Sequence, residues 1–459
     1  METFLSKIKR IHLVGIGGTG MSALAILLKE KGFILSGSDI KESEYLKKLK
    51  KEGIKIFLGH RKENIEKAEL VCISSAIKAN NIEVKEAEKR GIPVLKRAEL
   101  LSLLAFDKRV IAVGGAHGKT TTTAFLAYLL ESLGYKPSVF VGGELINYAR
   151  SAWWGGDFFV IETDESDGSF LKIIPSVAII TNIDKEHLDF YKKEETLIEK
   201  FSQFASSAKE ITIGWGDSPF LRNILKSVNN SLSYGFSPDN DIQAKNMILT
   251  PQATIFDLKT KEKEFKKIKI PLLGEHNLLN TLACLAFFYY LGEDLNRVID
   301  KLEDFKSTKR RFQIKKIVKN VMFVDDYAHH PTEIEATLKT AKLFNPKRLV
   351  VIFEPHRFSR IRLLQDKFLN CFSLADVLIV TDIYSASEEK PQDFDEYAFF
   401  HSLKTSFNKE FFYFPKDTLI EEVASLLEEN DLVIGLGAGD ISLLLDGIIE
   451  KFERFRNKE

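Results

Sequence analysis

The stretch Val110-Ile-Ala-Val-Gly-Gly-Ala-His-Gly-Lys-Thr-Thr-Thr-Thr123 admits few folds: a short apolar strand, a turn of glycines, then a helix continuing through Ala124-Phe-Leu-Ala-Tyr-Leu-Leu-Glu. Glycines 114, 115 and 118 let the backbone turn tightly and aim its N–H groups into one concavity. Lys119 adds a mobile positive charge, and Thr120, followed by Thr121, offers a hydroxyl at the helix start. These are the parts needed to hold a nucleotide's phosphates and its Mg²⁺. The spacing is Gly115-x-x-Gly118-Lys119-Thr120, shorter than the usual G-x-x-x-x-G-K-[ST], because Val113 stands six positions before Lys119. The plainer alternative is a glycine-rich turn with a surface lysine, and the coincidence of strand, loop and threonine-rich helix start weighs against it.

A second glycine loop lies near the N-terminus and asks for a different ligand. Ile11-His-Leu-Val14 reads as a strand, Gly15-x-Gly17-Gly18-Thr19-Gly20 as the loop, and Ala23 to Glu30 as a helix. The next strand, Phe33-Ile-Leu-Ser-Gly-Ser38-Asp39, ends on an acid nineteen residues after Gly20. That is the dinucleotide-binding arrangement: close backbone approach to a diphosphate, a helix dipole behind it, and an acid reaching a ribose. The motif specifies the diphosphate of a nucleotide better than it specifies NAD. A helix-packing turn without a ligand is the competing reading.

At 459 residues the chain exceeds one hydrophobic core, so several domains are expected. Lys+Arg and Asp+Glu both number 65, which argues against nucleic acid or a membrane surface as partner. The lysine-rich runs are interleaved with acids and apolar residues and read as solvated faces. No secretion signal or membrane-spanning run is expected. Cys72, Cys284 and Cys371 give neither a disulfide framework nor metal-ligand spacing, so a cytoplasmic setting is expected. Monomer and homodimer both stay open.

Strand and helix patterns alternate along the chain, predicting α/β architecture with parallel sheets. Three modules separate: residues 1–105 with the first glycine loop and the Ser74-Ser75 strand tip; 106–309 with the Lys119 loop and a β-rich insertion between about Ile211 and Ile270; and 310–459. Short hinges are expected between them.

Chemistry collects at the carboxyl ends of the strands, where open α/β sheets place ligands. Phe158–Ile161 delivers Glu162, suited to Mg²⁺, which takes hard oxygens. Val177–Ile180 delivers Thr181-Asn-Ile-Asp-Lys-Glu-His187-Leu-Asp189. His276, Asn277 and Asn280 open an apolar helix, the two amides three apart on one face, placed to bond a base or to cap. Asp325-Asp326-Tyr-Ala-His329-His330 and Glu354-Pro-His356-Arg357-Phe-Ser-Arg360 each follow a strand. Their histidines and arginines suit a carboxylate, with arginine as the bidentate partner. Zinc is disfavoured, since adjacent histidines rarely supply two tetrahedral ligands.

The ordered set Gly-Ile-Gly-Gly-x-Gly-Met-Ser, Gly-x-His-Gly-Lys-Thr-Thr-Thr, Glu-x-Asp-Glu-Ser-Asp-Gly-Ser-Phe, Thr-Asn-Ile-Asp-x-x-His-x-Asp, Gly-x-His-Asn-x-x-Asn, Arg-Arg-Phe and Asp-Asp-Tyr-x-His-His-Pro resembles the Mur ligase family from about Ile11 to Asp440. The resemblance implies three α/β domains: a Rossmann-like N-terminal domain for UDP, a P-loop-like central ATPase domain, and a Rossmann-like C-terminal domain closing on ATP and the amino acid. It implies that ATP phosphorylates the lactyl carboxylate of UDP-N-acetylmuramate and that L-alanine's amine attacks the acyl phosphate, in peptidoglycan precursor synthesis. It places Gly115, Gly118, Lys119, Thr120 and Thr121 on the ATP phosphates, with Thr120 and Glu162 on one Mg²⁺ and His187 on a second. His276, Asn277 and Asn280 would hold adenine, and Arg311 and Asp326 would contact ATP from the third domain. His329, Arg357 and Arg360 would receive alanine. Gly17, Gly18, Thr19, Gly20, Ser38, Asp39, Ser74 and Ser75 would bind the UDP part.

The chain departs from the family pattern at Ala116 (commonly Thr), Ala328 (Gly), Glu354 (Gln) and Phe358 (Tyr), which bears on the contacts near alanine. Within the family, an enzyme joining a peptide to the same sugar nucleotide is the nearest alternative, and the Gly-Thr-Gly-Met-Ser22 loop favours the single amino acid. An NAD-dependent oxidoreductase would leave the Lys119 loop and Glu162 unexplained. A non-catalytic nucleotide-binding regulator would leave the His329 and Arg357/Arg360 segments without purpose.

Overall fold

The structure, a computed structural model, describes residues 2–184, 188–386 and 388–456. Three sheets organise these residues. The first has five parallel strands in the spatial order Lys55–Leu58, Ile34–Asp39, Arg10–Val14, Leu70–Ile73, Val94–Lys96. Its order reverses beside Arg10–Val14, so the loops after that strand and after Leu70–Ile73 diverge and leave a crevice for a ligand. Arg10–Val14 is buried over its last four residues, as a central parallel strand covered on both faces must be.

The second sheet has ten strands. Its centre runs Ser231–Gly235, Ile211–Trp215, Val177–Ile180, Arg109–Gly114, Phe158–Glu162, Ser138–Leu145, all parallel, and Arg150–Trp153 closes that edge antiparallel. The segment expected as a β-rich insertion from Ile211 instead continues this sheet. Ile211–Trp215 pairs in parallel with Val177–Ile180, and the helix Pro219–Ser227 makes the crossover to Ser231–Gly235. The apolar alternation alone could not distinguish a new sheet from added strands.

The helix Lys119–Ser132 is buried from Thr120 to Leu130, which explains a sequence of threonines and apolar residues with no polar face. Phe125 stacks on Phe305 at 4.3 Å between ring centroids, a contact worth roughly 0.5–1.5 kcal/mol beyond its buried area.

In the third sheet, Gln313–Val318 is antiparallel to Val321–Asp326. Asp431–Leu436, Arg348–Phe353, Val377–Val380 and Glu410–Tyr413 follow in parallel. Separate apolar clusters form on the two faces, one with Val324, Phe353 and Ile434 and the other with Phe323, Ile352 and Val433, since adjacent strand residues point to opposite sides.

By internal contacts the chain divides into two compact units: 1–246, 256–269 and 279–307, and 247–255, 270–278 and 308–459. Within the first unit one apolar cluster runs continuously from Leu13 and Leu24 to Ala112 and Phe159, so the first two sheets share a core and are not joined by a bare hinge. No helix among the described residues is long and apolar enough to cross a membrane.

Candidate active site

The Lys119 loop sits where the order of the second sheet reverses, after its central strand Arg109–Gly114. Gly118 is the N-cap of the following helix at φ +80°, and a Cβ there would lie 2.3 Å from Asn280 Oδ1. At Gly115, with φ +136°, a Cβ would lie 2.1 Å from Thr181 Oγ1 and 2.9 Å from the Asn182 carbonyl oxygen. Only glycine satisfies both conformation and space at these two positions. Asn182 pins the loop: its carbonyl and Oδ1 accept from the N–H groups of Ala116 (3.1 Å) and His117 (2.8 Å), and its Nδ2 donates to the His117 carbonyl (2.9 Å).

Lys119 Nζ donates to the carbonyls of Gly115 (2.5 Å) and Ala116 (2.9 Å) and to Glu165 Oε1 (2.8 Å). Thr120 Oγ1 donates to Glu162 Oε1 at 2.7 Å, and Glu162 Oε2 accepts from Gly142 N. The ammonium and the hydroxyl–carboxylate pair thus belong to adjacent residues at one sheet edge. Thr121 is buried within the helix. His117 Nε2 faces Asp184 Oδ2 at 3.2 Å. His187 lies outside the described residues.

Asn280 is nearly buried and its Oδ1 accepts from Thr122 Oγ1 at 3.2 Å, beside Gly118. Asn277 donates to the Leu273 carbonyl at 2.8 Å, the local capping contact that its sequence position also allowed. His276, by contrast, is exposed in the first turn of the helix Glu275–Leu291.

At the first glycine loop, Asp39 does not point outward. Its Oδ2 accepts from Gly17 N (2.8 Å) and its Oδ1 from Ile40 N (2.8 Å), so it braces the loop. Ser38 is fully buried; its carbonyl accepts from Gly15 and Ile16, and its hydroxyl donates to Glu83 at 2.6 Å. Ser74 sits directly against Gly15, while Ser75, Gly18 and Thr19 are exposed around the loop mouth.

The third sheet assembles the remaining candidates. Asp326 accepts from Phe312 N (2.7 Å) and Ala328 N (2.8 Å). Burial raises its pKa to about 6, against the opposing pull of Arg311 and those two N–H groups. Arg311 lies over the Tyr327 ring and 3.8 Å from Glu333.

His329 Nδ1 bonds the Tyr327 carbonyl at 2.9 Å, so that nitrogen carries the proton and Nε2 is left as an acceptor. Burial, then the Arg360 charge, holds its pKa well below the usual imidazole range. His356 bonds Arg360 Nη1 at 2.7 Å, stacks on Tyr384, and has its pKa pushed down to about 3 by burial, Arg360 and Arg357. The His329 and His356 rings are 5.3 Å apart. Arg357 is the helix N-cap, at φ 66°, with Glu388 3.9 Å away. Glu354 is fully buried against Lys416 (2.7 Å) and the N–H of Asp440 (3.2 Å), so the acid that replaces an amide has its own counter-charge. Phe358 packs on Phe394.

Sequence reasoning did not single out Asn182, Glu165 or Tyr384 as site residues. Glu165 was open to discovery, lying three residues after Glu162 in the same acidic loop; Tyr384 carries no local signal.

Known proteins resemble this chain along nearly its whole length. Residues 10–109 match the model described as Mur ligase family, catalytic domain; 113–288 match the Mur ligase middle domain; and 310–439 match the Mur ligase, glutamate ligase domain. The chain is 39% identical to a UDP-N-acetylmuramate–L-alanine ligase of Dictyoglomus turgidum over 98% of both chains. It is 40% identical to the ligase of that name from Aquifex aeolicus, over 95% of this chain and 96% of the relative. A crystal structure of UDP-N-acetylmuramate–alanine ligase from Thermotoga maritima superposes with a TM-score of 0.83 at 30% identity, covering 98% of this chain and 100% of that one. On motifs in all three sheets and on this full-length similarity, the chain belongs to the Mur ligase family.

Proposed function

We propose that this chain ligates L-alanine to the lactyl carboxylate of UDP-N-acetylmuramate at the expense of ATP, a step of peptidoglycan precursor synthesis in the cytoplasm. The observation that carries the reading is the full-length likeness to ligases of that name, 39–40% identical across nearly the whole of each chain. The domains then divide as 1–105 for UDP, 106–309 for ATP and 310–459 for closure on ATP and amino acid.

A carboxylate is a poor acyl donor. Its oxygen attacks the γ-phosphorus of ATP, ADP leaves, and the carbonyl carbon now carries a phosphate leaving group. Alanine's neutral amine adds to that carbon, the carbon–oxygen bond to phosphate breaks, and amide, phosphate and a proton are released. Lys119 exchanges its contacts with the loop carbonyls and Glu165 for the transferring phosphoryl group, countering the charge that develops there. Thr120 and Glu162 offer hard oxygens at one place and fit Mg²⁺, with His187 as the residue for a second ion. When bound, Mg²⁺ neutralises phosphate oxygens. Asn280, beside Gly118, with His276 and Asn277, serves the adenine side, and Arg311 and Asp326 serve ATP from the third sheet. Arg357 and Arg360 take alanine's carboxylate, while the neutral His329 meets its amine without charge repulsion. Gly17–Gly20 and Ser74–Ser75 cradle the UDP part, with Ser38 and Asp39 bracing the loop from behind.

The test is phosphate release with ATP and UDP-N-acetylmuramate, scanned across amino acids, with the lactyl carboxylate labelled by ¹⁸O. Alanine should give the highest kcat/KM, and one labelled oxygen should appear in the released phosphate. Turnover with a peptide but not with alanine would reject the assignment.

A further inference from the structure

Arg97 meets the first glycine loop from the side, and no motif accounts for it. It opens the helix Arg97–Leu104, and its guanidinium lies against Gly20 so closely that a Cβ there would sit 2.1 Å from Nη1. Its Nη2 pairs with Asp164 Oδ2 at 3.2 Å, and 26% of the side chain remains exposed. Gly20 belongs to the first turn of the helix Thr19–Glu30, where unpaired N–H groups and the helix dipole already concentrate positive potential. A guanidinium laid over that end adds like charge to like, an arrangement that an anion between them converts into attraction. Asp164 adjoins Glu165, the partner of Lys119, so Arg97 stands between the sugar-nucleotide loop and the acids of the phosphate loop. Although burial works against its ionisation, hydrogen bonds from Ser166 and the charges of Arg97 and Lys119 hold the Asp164 carboxyl below its usual range.

We propose that Arg97 binds the diphosphate of the sugar nucleotide across Gly20, with Asp164 holding the guanidinium in position. The inference rests on the reading of Gly15–Gly20 as the UDP cradle and adds a side-chain cation to a loop that otherwise offers backbone N–H groups and the Thr19 hydroxyl. The planar fork of arginine suits two phosphate oxygens, and lysine would not reproduce it. The absence of a side chain at Gly20 is what lets the guanidinium reach the loop.

The test is calorimetric binding of UDP, UDP-N-acetylmuramate and ATP to the full-length protein and to R97A, R97K and D164N. R97A should weaken UDP at least tenfold and leave ATP within twofold; R97K, which keeps charge and stem, should weaken UDP at least threefold. D164N should stay within threefold of the wild type for UDP, because asparagine still accepts from Ser166 and the guanidinium remains. If R97A and R97K bind UDP as tightly as the wild type, or if only UDP-N-acetylmuramate is weakened, the diphosphate assignment fails. Equal losses in D164N and R97A would reduce Arg97 to a salt-bridge partner. A wild-type protein that does not bind UDP would overturn the cradle itself.

Discussion

Arg360 shows how one residue's setting decides what it can read. Its Nη1 is 2.7 Å from His356 Nδ1, an acceptor that orients the guanidinium. Burial first, then the charges of Arg360 and Arg357, push the His356 pKa down to about 3, so the ring stays an uncharged acceptor for that guanidinium. Alanine has little apolar surface, so most of its affinity must come from its charged ends. Arg360→Lys is expected to raise the KM for alanine tenfold or more, on the order of 1.4 kcal/mol, with the KM for ATP changed less than twofold. Steady-state kinetics with each substrate varied in turn provides the check, and parallel weakening of all three would assign Arg360 to folding or closure. This pair was half legible in the sequence. Two arginines three apart after a strand are visible in the sequence, but the stacking of His356 on Tyr384 depends on a residue far along the chain.

At the scale of elements, the first sheet is tied together by a buried acid that no motif reveals. Glu83, on the helix Ile82–Lys89, accepts from Ser38 Oγ (2.6 Å) and Asn64 Nδ2 (2.5 Å), with His60 at 3.0 Å and His12 at 3.8 Å. One carboxylate thereby links a helix, the strand ending at Asp39, whose Ser38 carbonyl holds the first glycine loop, and the short 3-10 helix Lys62–Ile65. Burial opposes ionisation of Glu83, but His12 and the hydrogen bonds from Ser38 and Asn64 prevail and bring its pKa down to about 2. The sign follows: a lowered folded-state pKa contributes stability that is present above about pH 4.5 and is lost as the pH falls toward 2. Glu83→Ala should cost about 2–4 kcal/mol at pH 7 by stranding several buried polar groups. The difference from the wild type should shrink below pH 4.5, as urea unfolding across pH 3–7 would show; a pH-independent difference would argue that Glu83 acts by packing alone. Glycine loops announce themselves because their chemistry is local. A hub such as Glu83 does not, since its partners lie 19 to 71 residues away along the chain.

For the whole molecule, the alternation of strands and helices foretold the α/β sheets. Which sheets share a core was not legible, because that depends on how buried faces meet. The continuous cluster from Leu13 to Phe159 places the first two sheets in one compact unit, while the third sheet has clusters of its own. Separate cores favour separate cooperative transitions. Trp153, Trp154 and Trp215 all fall in the first unit, so tryptophan fluorescence reports its unfolding, whereas far-ultraviolet circular dichroism reports both. UDP at about one hundred times its Kd should stabilise the unit that binds it by about 2.7 kcal/mol. For a unit of this size that raises the fluorescence midpoint by roughly 5 °C. The dichroism curve should then split, its UDP-sensitive phase following the tryptophans and a second phase staying in place. A single coincident transition, carried upward as a whole by UDP, would show that the two units unfold as one.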